Sequence, residues 1–270
     1  MIISTCGTIS SIRRNEKRVI KIGSDCESSH GQDKGKGSRA RFTKITGFVQ
    51  IKGTSTIIAV DSWNHCLRNI SLVNNEFYSE TFAGKCTHSG SDDGHMKDEA
   101  RFNRPYKIIE GYCQNEYYVT DHYNYAIRLI VLKNSSVVTI TNLENWGKPR
   151  AIALDRSAKT LLVSVENEEK GDSQLIRLNT TNNSEPAHLK PSMPALGTVK
   201  SIITLRSYTY LVSDWGKEHQ WLLTLGENKK PQKIADIDSP YSLALSKSKD
   251  KCKLYVGGRG FIKVLTVKGM

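Results

Sequence analysis

The sequence predicts an all-β fold, a β-propeller of four-stranded antiparallel blades, five to six in number, with the N-terminal blade cut short. Three observations support this. First, blocks of sequence recur at one spacing: Ala40-Arg41-Phe42 returns as Ala100-Arg101-Phe102, Asp33 as Asp93, and Val60-Asp61-Ser62-Trp63-Asn64-His65-Cys66-Leu67-Arg68 as Thr120-Asp121-His122-Tyr123-Asn124-Tyr125-Ala126-Ile127-Arg128. Second, the segments between turn signals are short, apolar and rich in β-branched residues, as strands are. Third, no helical period of useful length appears. Four short strands in a repeat of roughly 40–60 residues is the pattern of a propeller blade.

Taken in order, residues 1–24 read as a partial blade. In the next repeat, strands are expected near 45–52, 55–60, 66–72 and 78–84, with turns at Lys52-Gly53-Thr54-Ser55, Asp61 to His65 and Val73-Asn74-Asn75-Glu76. Blades follow near 105–142, 149–190 and 199–236, where Tyr210 to Trp215 repeats the pattern of a strand followed by Asp, and a partial blade near 241–267 ends the chain. The whole, 1–270, reads as a single domain, and as a fragment of something longer.

Composition narrows the class. Hydrophobic residues make up 38%, charged residues 24%, and mean hydropathy is −0.44, which argues against a membrane-embedded or fibrous protein. The net charge of +12 favours anionic partners such as nucleic acid, acidic lipid, sulfated glycans or acidic proteins.

The repeated residues carry a resemblance. Ala100-Arg101-Phe102 with Pro105, then Tyr118 to Asp121, then Asn124 with Ile127-Arg128, resemble the NHL repeat, as do Ala40-Arg41-Phe42, Asp61, Asn64-His65 and Leu67-Arg68. The resemblance covers about residues 20–145 and is architectural over 146–270. It implies a six-bladed, TolB-like propeller akin to extracellular animal NHL-repeat proteins.

The cysteines have a spacing of their own. Cys6 and Cys26 are 20 residues apart, as are Cys66 and Cys86. A hairpin centred on residue 76 sets Cys66 opposite Cys86, within the Cα separation of roughly 4.4–6.8 Å that a disulfide needs. Cys6 and Cys26 fit the same scheme. In the third repeat both equivalents change together, to Ala126 and Trp146. Two disulfides are therefore expected, the alternative being two pairs of small buried thiols. Disulfides imply an oxidising compartment. The sequons at Asn134, Asn179 and Asn182 agree with that, being expected in loops between third and fourth strands, whereas Asn69 falls inside a strand.

Because blade strands alternate in direction, the loop joining the second and third strands shares a face with the loops joining blades. Trp63, His65, Tyr123 and Trp215 are expected there and are the candidate binding residues; the competing reading packs these aromatics between blades. Asp61, Asn64 and Arg68, with Asp121, Asn124 and Arg128, are expected to be structural, the Asp and Asn bonding to turn backbone and the Arg pairing with an acid.

Three functions compete. The leading expectation is a non-catalytic extracellular module that presents a propeller face to a protein or an acidic glycan, with no cofactor. The alternative is an intracellular RNA-binding propeller, as the basic charge and free cysteines would suit. The second alternative is an amidating-lyase-like zinc enzyme, which needs three ligands where the sequence offers only scattered histidines. No catalytic signature of the G-x-S-x-G or H-E-x-x-H kind occurs, and the chain is expected not to be an enzyme.

Overall fold

The computed structural model describes the backbone at 2–5, 8–12, 19–22, 35–36, 40–74, 76–180, 186–188, 196–206, 209–215, 220–226, 229–237, 240–247, 252–258 and 261–267. Side chains are described throughout 40–74 and 76–180, and at some of the later positions. The chain divides into two compact units, Met1–Asn142 and Leu143–Met270.

The first unit holds three antiparallel sheets. The strands β1 (Ile2–Thr5), β2 (Thr8–Ile12) and β3 (Val19–Ile22) form one, in sequence order. The second is built from β4 (Gly35–Lys36), β5 (Ile45–Gln50), β6 (Ile57–Asp61), β7 (Cys66–Val73) and β8 (Glu76–Ala83), in the order β4-β8-β7-β6-β5. The third repeats that plan with β9 (Gly94–His95), β10 (Pro105–Glu110), β11 (Glu116–Asp121), β12 (Ala126–Val131) and β13 (Ser136–Asn142), in the order β10-β11-β12-β13-β9. In both five-stranded sheets a two-residue strand runs along the outer edge of the fourth long strand, and the chain then crosses back to begin the innermost one.

The second unit contains β14 (Lys148–Asp155), β15 (Thr160–Asn167), β16 (Asp172–Asn179) and β17 (Ala187–His188) in one sheet. A second sheet has β18 (Thr198–Arg206), β19 (Thr209–Trp215), β20 (Gln220–Gly226) and β21 (Lys229–Asp236). The third has β22 (Ser242–Lys247), β23 (Cys252–Gly258) and β24 (Phe261–Val267). Its cores are aliphatic: Ala151, Leu162, Leu175, Val199 and Val212 in one cluster, Ile237, Leu243, Leu254 and Val256 in another.

Central strands are buried on both faces, so their sequences run apolar without alternation. Every residue of Ile57–Asp61 is buried. The recurrent Ala-Arg-Phe blocks owe their recurrence to this packing. Ala100 and Phe102 are fully buried with Ile58, Val60, Leu67, Ile108 and Val119, while Ala40 and Phe42 join Ile57, Ala59 and Ile70. In each repeat a buried arginine lies over the phenylalanine ring: Arg68 over Phe42 and Arg128 over Phe102, both at 5.3 Å. A buried guanidinium needs several acceptors to offset its lost hydration. Arg128 donates Nη1 to the carboxylate of Asp121 (2.8 Å) and the carbonyl of Arg101 (2.9 Å), and Nη2 to the carboxylate of Asp93 and the carbonyl of Asp92 (both 2.7 Å).

Candidate functional site: a row of cations and aromatics on two adjacent repeats

In two adjacent repeats the turn after the second long strand has one geometry. Ser62–Asn64 and His122–Asn124 are single 3₁₀ turns, each closed by a residue in the left-handed region, His65 (φ 57) and Tyr125 (φ 51). The preceding aspartate organises the turn. Asp61 is buried and accepts from the Thr43 N–H and hydroxyl (both 3.0 Å) and the Asn64 side-chain amide (2.8 Å). Asp121 accepts from the Asn103 N–H, the Asn124 amide and Arg128, each at 2.8 Å. The segment leading into the innermost strand is thereby fastened to the turn: the Ser62 N–H donates to the Lys44 carbonyl at 2.9 Å, and the Tyr123 N–H to the Asn103 carbonyl at 3.0 Å.

This scaffold aligns four exposed side chains. Lys44 Nζ lies 5.1 Å from the centroid of Trp63. The Arg104 guanidinium lies 6.0 Å from the same ring and 4.7 Å from that of Tyr123. Lys44 and Arg104 hold equivalent places in the repeat, as do Trp63 and Tyr123, so cation and aromatic alternate along the row. Trp63 is 50% exposed and Tyr123 40% exposed, so neither ring is packed away. His65 lies within the row as a tie between repeats: its Nδ1 accepts the Arg104 backbone N–H at 3.1 Å, which fixes the left-handed Arg104 (φ 47). His122 supports Tyr123 edge-on, with ring centroids 5.2 Å apart. Exposed cation–π contacts contribute about 0.5–1 kcal/mol each, so the row holds its shape while adding little to stability.

The electrostatics beside the row are set by burial. Burial pushes the Asp61 carboxyl above its ordinary range, against the opposing effects of Asn64, Thr43 and Arg68. Asp121 is raised to about 6 by burial, with Arg128 the main opposing influence. Burial would also raise Asp93, but the hydroxyl and N–H of Thr139 and the charge of Arg128 outweigh it and hold that carboxyl low.

A disulfide joins Cys66 to Cys86, with a Cα separation of 5.0 Å. It begins one residue beyond His65, and the Thr87 N–H donates to the Asn64 carbonyl at 2.8 Å, so the bridge braces the turn that presents Trp63. The expected ladder geometry differs from the observed one. Val73 faces Glu76 and Leu67 faces Ala83, with a bulge between Leu67 and Arg68, so Cys86 lies past the end of β8. Gly84 (φ 83) turns the chain back to reach Cys66. Cys6 and Cys26 lie outside the described residues.

The other candidates are placed as follows. Asn134 ends an exposed 3₁₀ turn between β12 and β13. Asn179 is the exposed last residue of β16, a strand end where a loop was expected. Asn182 lies outside the described residues. Trp215 is the last residue of β19, paired to Thr198 and Gln220, and nothing is described of its side chain. Lys44 and Arg104 escaped the sequence reading; their signal was the shared repeat offset, hidden because the residue types differ. Among the described residues no three His, Cys, Asp or Glu side chains gather closely enough to hold a metal ion, and no helix is long and apolar enough to cross a membrane.

No family model and no curated protein matches the sequence. Solved structures do. A chain of a nidogen/laminin complex is similar over 95% of this chain and 84% of its own length, with TM-score 0.63 and 13% identity. A gluconolactonase from Xanthomonas campestris is similar over 75% of this chain and 66% of its own, with TM-score 0.55 and 11% identity. Hydrazine synthase from Kuenenia stuttgartiensis is similar over 96% and 70%, with TM-score 0.61 and 10% identity. The chain is a β-propeller, all-β, whose described antiparallel sheets have three to five strands. These likenesses establish the fold alone.

One expectation is overturned. The absence of a linear catalytic signature led to the reading that the chain is not an enzyme, yet structures sharing its fold include a gluconolactonase. The physical reason is that a repeat fold assembles sites from loops far apart in sequence, so a short motif search has no hold on them.

Proposed function

We propose that the chain is a binding module of the NHL type, a six-bladed propeller working outside the cell, whose ligand face in the first unit carries Trp63, His65 and Tyr123; Trp215, in the second unit, is a separate candidate contact by its place in its own repeat. The partner is a protein or an acidic glycan. The observation that carries this reading is the outward exposure of Trp63 and Tyr123 on turns held by buried Asp61 and Asp121. Rigid turns that display large aromatics suit recognition, since such side chains give contact area with little loss of rotamer freedom. The Cys66–Cys86 bridge supports an oxidising compartment. The nidogen/laminin likeness is compatible with a protein partner. On this reading Asn134, Asn179 and Asn182 carry glycans, and a second bridge joins Cys6 to Cys26.

Two measurements test it. Unreduced peptide mapping of the protein from its native source is expected to return a linked Cys66–Cys86 peptide and a glycan on Asn134 or Asn179; free thiols and bare asparagines would place the protein in the cytosol. The Trp63→Ala, Tyr123→Ala double variant is expected to lose binding to secreted proteins and glycans displayed on an array, with its melting temperature nearly unchanged. Retained binding would remove this face from the reading.

A further inference from the structure

The row of Lys44, Trp63, Arg104 and Tyr123 says more than that a face is aromatic. Arg104 is an exposed guanidinium whose neighbours are two π systems, Trp63 at 6.0 Å and Tyr123 at 4.7 Å. Lys44 is an exposed ammonium beside the first of those rings. Among the described residues neither side chain meets a carboxylate. Two buried arginines of this unit behave differently: Arg128 binds Asp121 and Asp93, and Arg68 faces Asp61.

Rings can hold a cation in place but cannot neutralise it. A guanidinium lying against ring faces keeps its N–H edge available, and that edge matches the paired oxygens of sulfate or carboxylate. Its ordering has already been met by the rings, so an incoming anion need not freeze a mobile arginine. The same cation–aromatic unit recurs in the next repeat, which suits a ligand that itself repeats.

From the row, the geometry points to a docking site for an anionic polysaccharide, one bearing sulfate and carboxylate groups, with Arg104 as the principal anion contact and Lys44 as the second. This inference rests on the proposed ligand face and names the ligand class for it. The charge complementarity is local, in two cations that meet no carboxylate among the described residues, and global, in a net charge of +12. The Cys66–Cys86 bridge lies next to the same turn and favours a ligand found outside the cell over RNA.

The test is calorimetric titration of the full chain with a sulfated heparin oligosaccharide at about 0.1 M salt, where long-range attraction is largely screened. Arg104→Gln is expected to weaken binding by about tenfold or more, and Lys44→Gln by less. Arg104→Lys keeps the charge but lacks the planar fork and is expected to recover only part of the loss. Lys133→Gln, on the turn between β12 and β13, is expected to stay within about twofold of wild type. Denaturation midpoints of all variants are compared with wild type, since an exposed side chain is being changed. Wild-type affinity in Arg104→Gln overturns the inference. So does an equal loss in Lys133→Gln, which would mean diffuse attraction, or Arg104-dependent binding of single-stranded polyuridine tighter than that of the oligosaccharide. If Arg104→Gln binds normally while the Trp63, Tyr123 double variant still loses array ligands, the glycan class falls and the ligand face stands. If both bind normally, both readings fall.

Discussion

Replacing Arg128 with Met keeps the apolar stem over Phe102 and removes the charge that Asp121 relies on. Arg128 is 1% exposed and Asp121 fully buried, and the bond between them is 2.8 Å long. Removing one member of a buried pair strands the other, at a cost of about 3–5 kcal/mol. The carbonyls of Arg101 and Asp92 lose their guanidinium donor as well. For a chain of this size each kcal/mol moves the melting temperature by roughly 2–4 °C, so a fall of about 6–20 °C is expected. The pH dependence is more specific. Burial already raises Asp121 to about 6, and Arg128 is the main influence opposing that rise. A carboxyl raised on folding contributes stability that is complete below its unfolded value, 3.8, and is lost as pH climbs through the folded one. In wild type that loss is complete soon above pH 6, and in Arg128→Met it extends to higher pH. The variant's deficit should therefore be larger at about pH 8 than at about pH 5. Urea unfolding followed by tryptophan fluorescence at the two pH values measures it. A deficit under about 1 kcal/mol, or one larger at the acidic pH, would refute the account of Asp121 as a buried carboxylate held ionised by Arg128.

Two further outcomes follow from geometry. Gly84→Ala should destabilise by more than about 2 kcal/mol, because its φ is 83° and the added Cβ would lie 2.8 Å from the Phe102 ring, whereas Gly53→Ala (φ 79, with open space around it) should cost only about 1 kcal/mol; equal midpoint shifts in denaturant would contradict this. Reducing the Cys66–Cys86 bridge should lower the denaturation midpoint by an amount worth about 2–4 kcal/mol, given its sequence separation of 20; an unchanged midpoint would mean that the hydrogen bonds of the turn alone hold it.

The repeat was legible because each recurring residue has a fixed physical task. Ala100 and Phe102 recur for packing, Asp121 and Asn124 for the turn, and Arg128 for the acids beside it. The exposed Trp63 and Tyr123 were found by riding on that register, not by any signal of their own. Lys44 and Arg104 lacked one, since an exposed cation is indistinguishable in sequence from any other. The disulfide was read from a spacing of 20 residues, yet through a straight hairpin; the bulge near Leu67 and the bend at Gly84 are local departures that no periodicity announces. The edge strands Gly35–Lys36 and Gly94–His95 were missed because two residues are too few to show alternation.

Those short edge strands have a consequence for how the protein resists self-association. An open sheet edge invites pairing with another chain. Gly94–His95 occupies the edge of β13, pairing with Ser136 and Val137, and a few residues later the same segment buries Met96, Ala100 and Phe102. The guard on the edge is therefore anchored in the core by its own sequence. The Met96 N–H also donates to the Ser135 carbonyl at 2.8 Å, so peeling the edge open past His95 draws a core side chain toward water, and exposure of an aggregation-competent edge is coupled to local loss of the hydrophobic interior.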